Sequence, residues 1–80
     1  MTFYLLLPGQ SEADITDHNI IGELSFKSFH VGTAWNVLKK FIDQGNETVL
    51  NKLTIKDSSN KIWTVEALLS KLSSYHIVKY

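Results

Sequence analysis

The chain contains no cysteine and no arginine, and its charges cancel. Without cysteine there can be no disulfide staple, no thiolate metal site and no thiol nucleophile. All eight basic residues are lysine, which argues against the bidentate recognition of guanine or phosphate that arginine's planar fork performs. Eight Asp and Glu balance them, so the long-range attraction on which most nucleic-acid binders rely is missing. Long apolar runs are missing as well. Met1 to Leu7 is apolar but lacks a basic lead-in, and Pro8-Gly9 stops it before a secretory core or membrane span is complete. These absences predict a soluble cytoplasmic protein without a membrane partner. Asn46-Glu47-Thr48 matches the glycosylation acceptor pattern but has no secretory context in which to act.

What is present is a single small domain over residues 1–80, with four Phe, three Tyr and two Trp for a core. A chain of this size buries only about 60–65% of the surface its unfolded form exposes. With no staple available, packing has to be very good or association has to supply stability, so a homo-oligomer is expected.

The clearest stretch is Gly22 to Gly45, a strand that runs straight into an amphipathic helix. Ile20, Leu24 and Phe26 share one parity and Glu23, Ser25 and Lys27 the other, the period-2 signature of a half-buried strand. After Gly32, the residues Ala34, Val37, Leu38 and Phe41 recur at helical spacing, with Thr33 placed to cap the helix and Gly45 to follow its end. Phe29 and Val31 fall on the wrong parity for the strand, which predicts a bulge or turn near Ser28 to His30. On the N-terminal side, Thr2 to Leu7 reads as a strand, and polar Gln10 to Asn19 as an exposed loop that lets the next strand return antiparallel. On the C-terminal side, Asn46 can cap a brief helical turn over Glu47 to Asn51. Leu53 to Lys56 and Lys61 to Thr64 read as the arms of a hairpin turned by Asp57-Ser58-Ser59-Asn60. Thr64 then caps a helix with Val65, Leu68, Leu69 and Leu72 on one face, and Tyr75 to Tyr80 reads as a last strand. Glu23 to Lys27 and Lys52 to Lys56 echo one another, as do the two helices. The predicted fold is α+β: a small antiparallel sheet of four to five strands with two helices packed on one face.

Few residues suggest chemistry. His18, His30 and His76 show neither HxxxH nor HxH spacing, and read as surface or half-buried side chains. Asp57 to Lys61 has the oxygen-rich start of a calcium loop, but the sixth position is not glycine and Leu68 stands where the closing Glu belongs. Glu12, Asp14 and Asp17 have no second catalytic group beside them in sequence, and no Ser or Thr sits in a nucleophile-elbow context. Gly32-Thr33 at a helix start is a weak anion-binding signal. No catalytic residue, metal or cofactor is assigned. Lys39, Lys40, Lys52, Lys56, Lys61 and Lys71, with Trp35, Trp63 and the tyrosines, could form a stacking surface for single strands. The competing reading is solvated lysines and core tryptophans.

Trp35 lies one position off the main stripe of its helix, in line with Ile42 one heptad later, and widens the apolar face. These two residues are the first candidates for a protein contact. The last strand supplies the others: Tyr75, Ile77 and Tyr80 on an edge whose unpaired backbone could add to another sheet.

The strings MTFYLLLPG, IIGELSFKSF and TIKDSSNKIWTVEALLSKL resemble small proteins of tailed phages, especially T4-like phages infecting cyanobacteria. The resemblance covers most of the chain and carries no functional residue with it. It implies a phage accessory protein made in the host bacterial cytoplasm, which suits the lysine-only, AT-rich coding character. The expected function is a non-enzymatic interaction protein, self-associating and binding a host or phage protein. The alternative is a small nucleic-acid-associated regulator using lysines and exposed aromatics.

Overall fold

The computed structural model describes residues 1–79, and Tyr80 lies outside them. The first strand, β1 (Thr2–Leu6), takes the middle of the sheet, as its unbroken apolar run requires. It pairs antiparallel with β2 (Ile20–Ser25) on one side and with β4 (Thr54–Asp57) on the other. β3 (Ser28–Val31) lies outside β2, and β5 (Ile62–Trp63) lies outside β4. A hairpin thus flanks β1 on each side. β6 (His76–Lys79) then joins β3 in parallel, giving the order β5-β4-β1-β2-β3-β6.

The α+β class is as expected, but the sheet is mixed and has six strands. Two local causes account for the extra strand. The stretch from Ile20 to Val31 is a hairpin turned at Phe26-Lys27, with Ser25 facing Ser28. Lys27 takes the left-handed conformation (φ 66°). The alternation that placed Phe26 with the core therefore fails, and its side chain is 88% exposed. Second, β2 carries its irregularity at the other end: Phe3 faces Gly22 while Tyr4 faces Ile20, leaving Ile21 as the extra residue of a bulge. The bulge lets Ile21 and Leu24, of opposite parity, both enter the core.

Three helices face this sheet: α1 (Thr33–Asp43), the single turn α2 (Glu47–Leu50) and α3 (Val65–Leu72). Ala34 and Leu38 from α1 and Leu68 and Leu72 from α3 join Phe3, Leu5, Ile21, Phe29 and Ile55 in one cluster, and Leu50 of α2 packs against it. On α1 the half-buried flank is Trp35, Phe41 and Ile42, whereas Val37 is exposed. The N-cap of α1 is Gly32, not Thr33, and it supplies no side-chain acceptor. Gly45 follows the helix at φ 64°, the left-handed position that glycine occupies without steric cost. Thr64 caps α3 by accepting from Ala67 N at 3.0 Å, and Asn46 caps α2 by accepting from Val49 N at 3.3 Å. Both caps were legible.

Gly22 is required by close approach. A Cβ there would lie 2.5 Å from Phe29 Cζ and against the His30 carbonyl oxygen. The loop from Pro8 to Asn19 contains two 3-10 turns, Glu12–Asp14 and Asp17–Asn19, and is tied down by buried Asn19. The Asn19 amide donates to Leu5 O at 2.9 Å, and its Oδ1 accepts from Thr16 N at 2.9 Å.

Candidate protein-interaction surface

Among the described residues β6 has a neighbour on one side only. It enters the sheet when His76 N donates to Lys27 O at 3.2 Å, and the register then sets Ile77 beside Phe29, Val78 beside His30 and Lys79 beside Val31. In an extended strand successive residues direct their N–H and C=O groups to opposite sides. His76 and Val78 therefore turn their backbone groups toward β3, and Ile77 and Lys79 turn theirs away from it. The side chain of Ile77 projects on the helix-bearing face, next to fully buried Phe29, and is 44% exposed.

A row of aromatic rings leads to this position from across the molecule. Trp63 meets Phe3 edge-on at 5.6 Å, Phe3 meets Phe29 at 6.2 Å and Phe29 meets Trp35 at 5.7 Å, all between centroids. Trp35 and Ile77 thus flank the same buried ring. Trp35 is half-buried, as are Ile42 and Tyr75, each packed against the core. Ile42 lies two helical turns from Trp35, toward the other end of α1. Tyr75 N donates to Leu72 O at 3.0 Å, closing α3 immediately before β6. Of the five candidate residues the structure brings Trp35 and Ile77 together around Phe29, with Tyr75 on the approach to β6. Ile42 stands apart, and Tyr80 is outside the described residues.

Among the described residues the most exposed large apolar side chains are Phe26 and Ile62, neither of them among the five candidates. Phe26 sits on the β2–β3 turn with the Lys27 ammonium 5.2 Å from its ring centroid. Ser-Phe-Lys-Ser carries no Gly, Asn, Asp or Pro, and its only turn-favouring residues are the two serines, whose hydroxyls meet at 2.6 Å across the turn. Ile62 projects from β5 on the face opposite Trp63.

At that far edge the chemistry is structural. Asp57 is buried, and its Oδ1 accepts from Ser59 N (2.8 Å) and Lys61 N (3.0 Å) while Oδ2 accepts from the Trp63 indole N–H (2.8 Å). The indole bond, helped by those two amides and the Lys61 charge, holds the Asp57 carboxyl below its ordinary pKa against the opposing effect of burial. The Lys61 and Lys71 ammonium groups lie 4.4 and 5.5 Å from the Trp63 ring centroid. Lys56 pairs with Glu12. Lys56, Lys61 and Lys71 are thus engaged within the chain, and both tryptophan rings are half-buried against the core.

Two clefts remain. One, of about 430 Å³, lies between the Pro8–Asn19 loop and α1 and has Asp14 and His18 on its wall. The other, of about 580 Å³, lies at the start of α1 beside Lys79. Among the described residues no group of three or more His, Asp or Glu could hold a metal ion, and no helix is long and apolar enough to cross a membrane. Compared with protein families, with curated proteins and with solved structures, the chain matches none.

Proposed function

We propose that this is a non-enzymatic interaction protein that works through its C-terminal strand edge, self-associating and engaging a further protein by the same means. The observation that carries the reading is the outer side of β6: the outward backbone groups of Ile77 and Lys79, with the exposed Ile77 side chain next in register to buried Phe29. Such an edge is a template for strand addition, in which main-chain hydrogen bonds supply affinity and alternate side chains supply selectivity. In the setting that the phage resemblance implies, the protein is an accessory factor of the host bacterial cytoplasm and its partner a host or phage protein. Light scattering over a wide concentration range tests self-association. A mass above that of one 9.1 kDa chain, rising with concentration, supports it. A constant monomer mass removes self-association and leaves the edge to a different protein.

A second reading is favoured by the Phe26-Lys27 pair, an exposed ring with an ammonium beside it, which is the element that single-strand binders repeat along a groove. It predicts a gel shift at low salt that collapses as salt rises. No retardation at low salt disposes of it.

A further inference from the structure

We infer that the occupant of the β6 edge is a second copy of this chain, paired antiparallel about a two-fold axis that passes beside Ile77. The inference rests on the interaction reading above and names its partner.

Three observations point to a copy of the same strand. The outward groups belong to Ile77 and Lys79, so a two-fold axis normal to the sheet at Ile77 makes it face itself as a hydrogen-bonded pair. The Ile77 N–H of each copy then donates to the Ile77 carbonyl of the other. The same register sets Lys79 opposite Tyr75 and His76 opposite Val78, so no like charges meet, and the zero net charge of the chain adds no repulsion at a distance. It also covers the two exposed isoleucines with one another, on the face that bears the helices of both copies.

The third observation is the opposite edge. β5 is only two residues long and starts from a turn whose Asn60 is left-handed (φ 65°), with Lys61 beside it. It offers too little strand for another chain to extend. One open edge per chain closes as an isologous dimer, whereas two would propagate a filament. A contact of about five residues a side falls well short of the roughly 1,200 Å² that a tight complex buries, so the dimer should be reversible, with a Kd on the order of 10 µM to 1 mM.

The absence of cysteine makes the test direct. In the inferred register the two Ile77 Cα atoms stand about 5.5 Å apart, within disulfide reach, whereas the two Val78 Cα atoms stand roughly 8 Å apart, beyond it. Ile77→Cys under mild oxidation should give mainly cross-linked dimer, and Val78→Cys at least about tenfold less. Ile77→Lys sets two ammonium groups face to face, and should weaken the dimer by tenfold or more while leaving the thermal midpoint of the monomer nearly unchanged. A wild-type monomer at 1 mM overturns the inference. If Ile77→Lys then abolishes capture of another protein, the interaction reading stands without the second copy; if nothing is captured, both fall. A wild-type dimer that does not cross-link through Ile77→Cys, or that cross-links as readily through Val78→Cys, keeps self-association and overturns this edge and register.

Discussion

The two edges of the sheet are built on opposite terms. At the β5 edge a buried carboxylate gathers three donors, two lysines sit over the Trp63 ring, and only two residues are strand. At the β6 edge four residues run straight without proline or bulge, and Ile77 stands half out of the core. The first edge spends its polar groups internally and has little to offer a neighbour. The second leaves a row of donors and acceptors outside. The contrast follows from topology, because the hairpins on either side of β1 are alike and β6 is added to only one of them.

Removing what the two halves share should have the largest effect. Phe3 is fully buried in the central strand, with its ring edge-on to both Phe29 and Trp63. Phe3→Ala should cost about 3–5 kcal/mol and loosen both edges, seen as a lowered urea midpoint. That is a large share of the roughly 5–15 kcal/mol by which domains are stable. Gly22→Ala should act on the β6 side alone. Its Cβ would press on Phe29 and on the His30 carbonyl, at a cost of about 1–3 kcal/mol. Hydrogen exchange should accelerate in β3 and β6 ahead of β4 and β5.

Asp57→Asn should act on the other side. The folded pKa of Asp57 is depressed, so its contribution is fully present above the unfolded value of about 3.9 and is lost as pH falls through the folded value. Wild type should therefore lose stability in that acid range, with exchange at the Ser59 and Lys61 amides rising first. Asp57→Asn should start lower at neutral pH and show a flatter acid limb. A parallel pair of acid limbs would mean that the carboxylate does not stabilise the turn. The smallest effect belongs to Phe26→Ser, within about 0.5 kcal/mol by thermal melt, because the ring is outside both edges and the core.

The sequence carried the local half of this architecture. The Thr64 and Asn46 caps, Gly45 and the Asp57–Asn60 turn each depend on neighbours in the chain and were legible, as were the stripes of α1 and α3 apart from Val37 and Leu69, which are exposed. The β2–β3 turn, expected near Ser28 to His30, falls at Phe26-Lys27, and the Ile21 bulge breaks the alternation on which strand reading depends. The direction of β6 was not legible, because it is set by α3 carrying the chain from one side of the sheet to the other. Of the surface residues, Ile77 could be proposed from the last strand. The place of Trp35 could not be settled, since its ring rests on Phe29 only once β3 exists as a separate strand.

The β3–β6 ladder has a kinetic consequence. Ser28 and His76 are paired across 48 positions of chain, whereas each hairpin closes over only a few residues. Contacts of long sequence separation must overcome loop entropy before they are rewarded, so the two hairpins and their helices should assemble first, and β6, like the equally distant β1–β4 pairing of Leu6 with Thr54, should dock later. Until it does, β3 is the exposed strand, and its outward groups can accept β6 from either the same chain or another. The order of folding therefore makes strand exchange between chains a competitor of correct docking, and a high protein concentration during refolding should favour it.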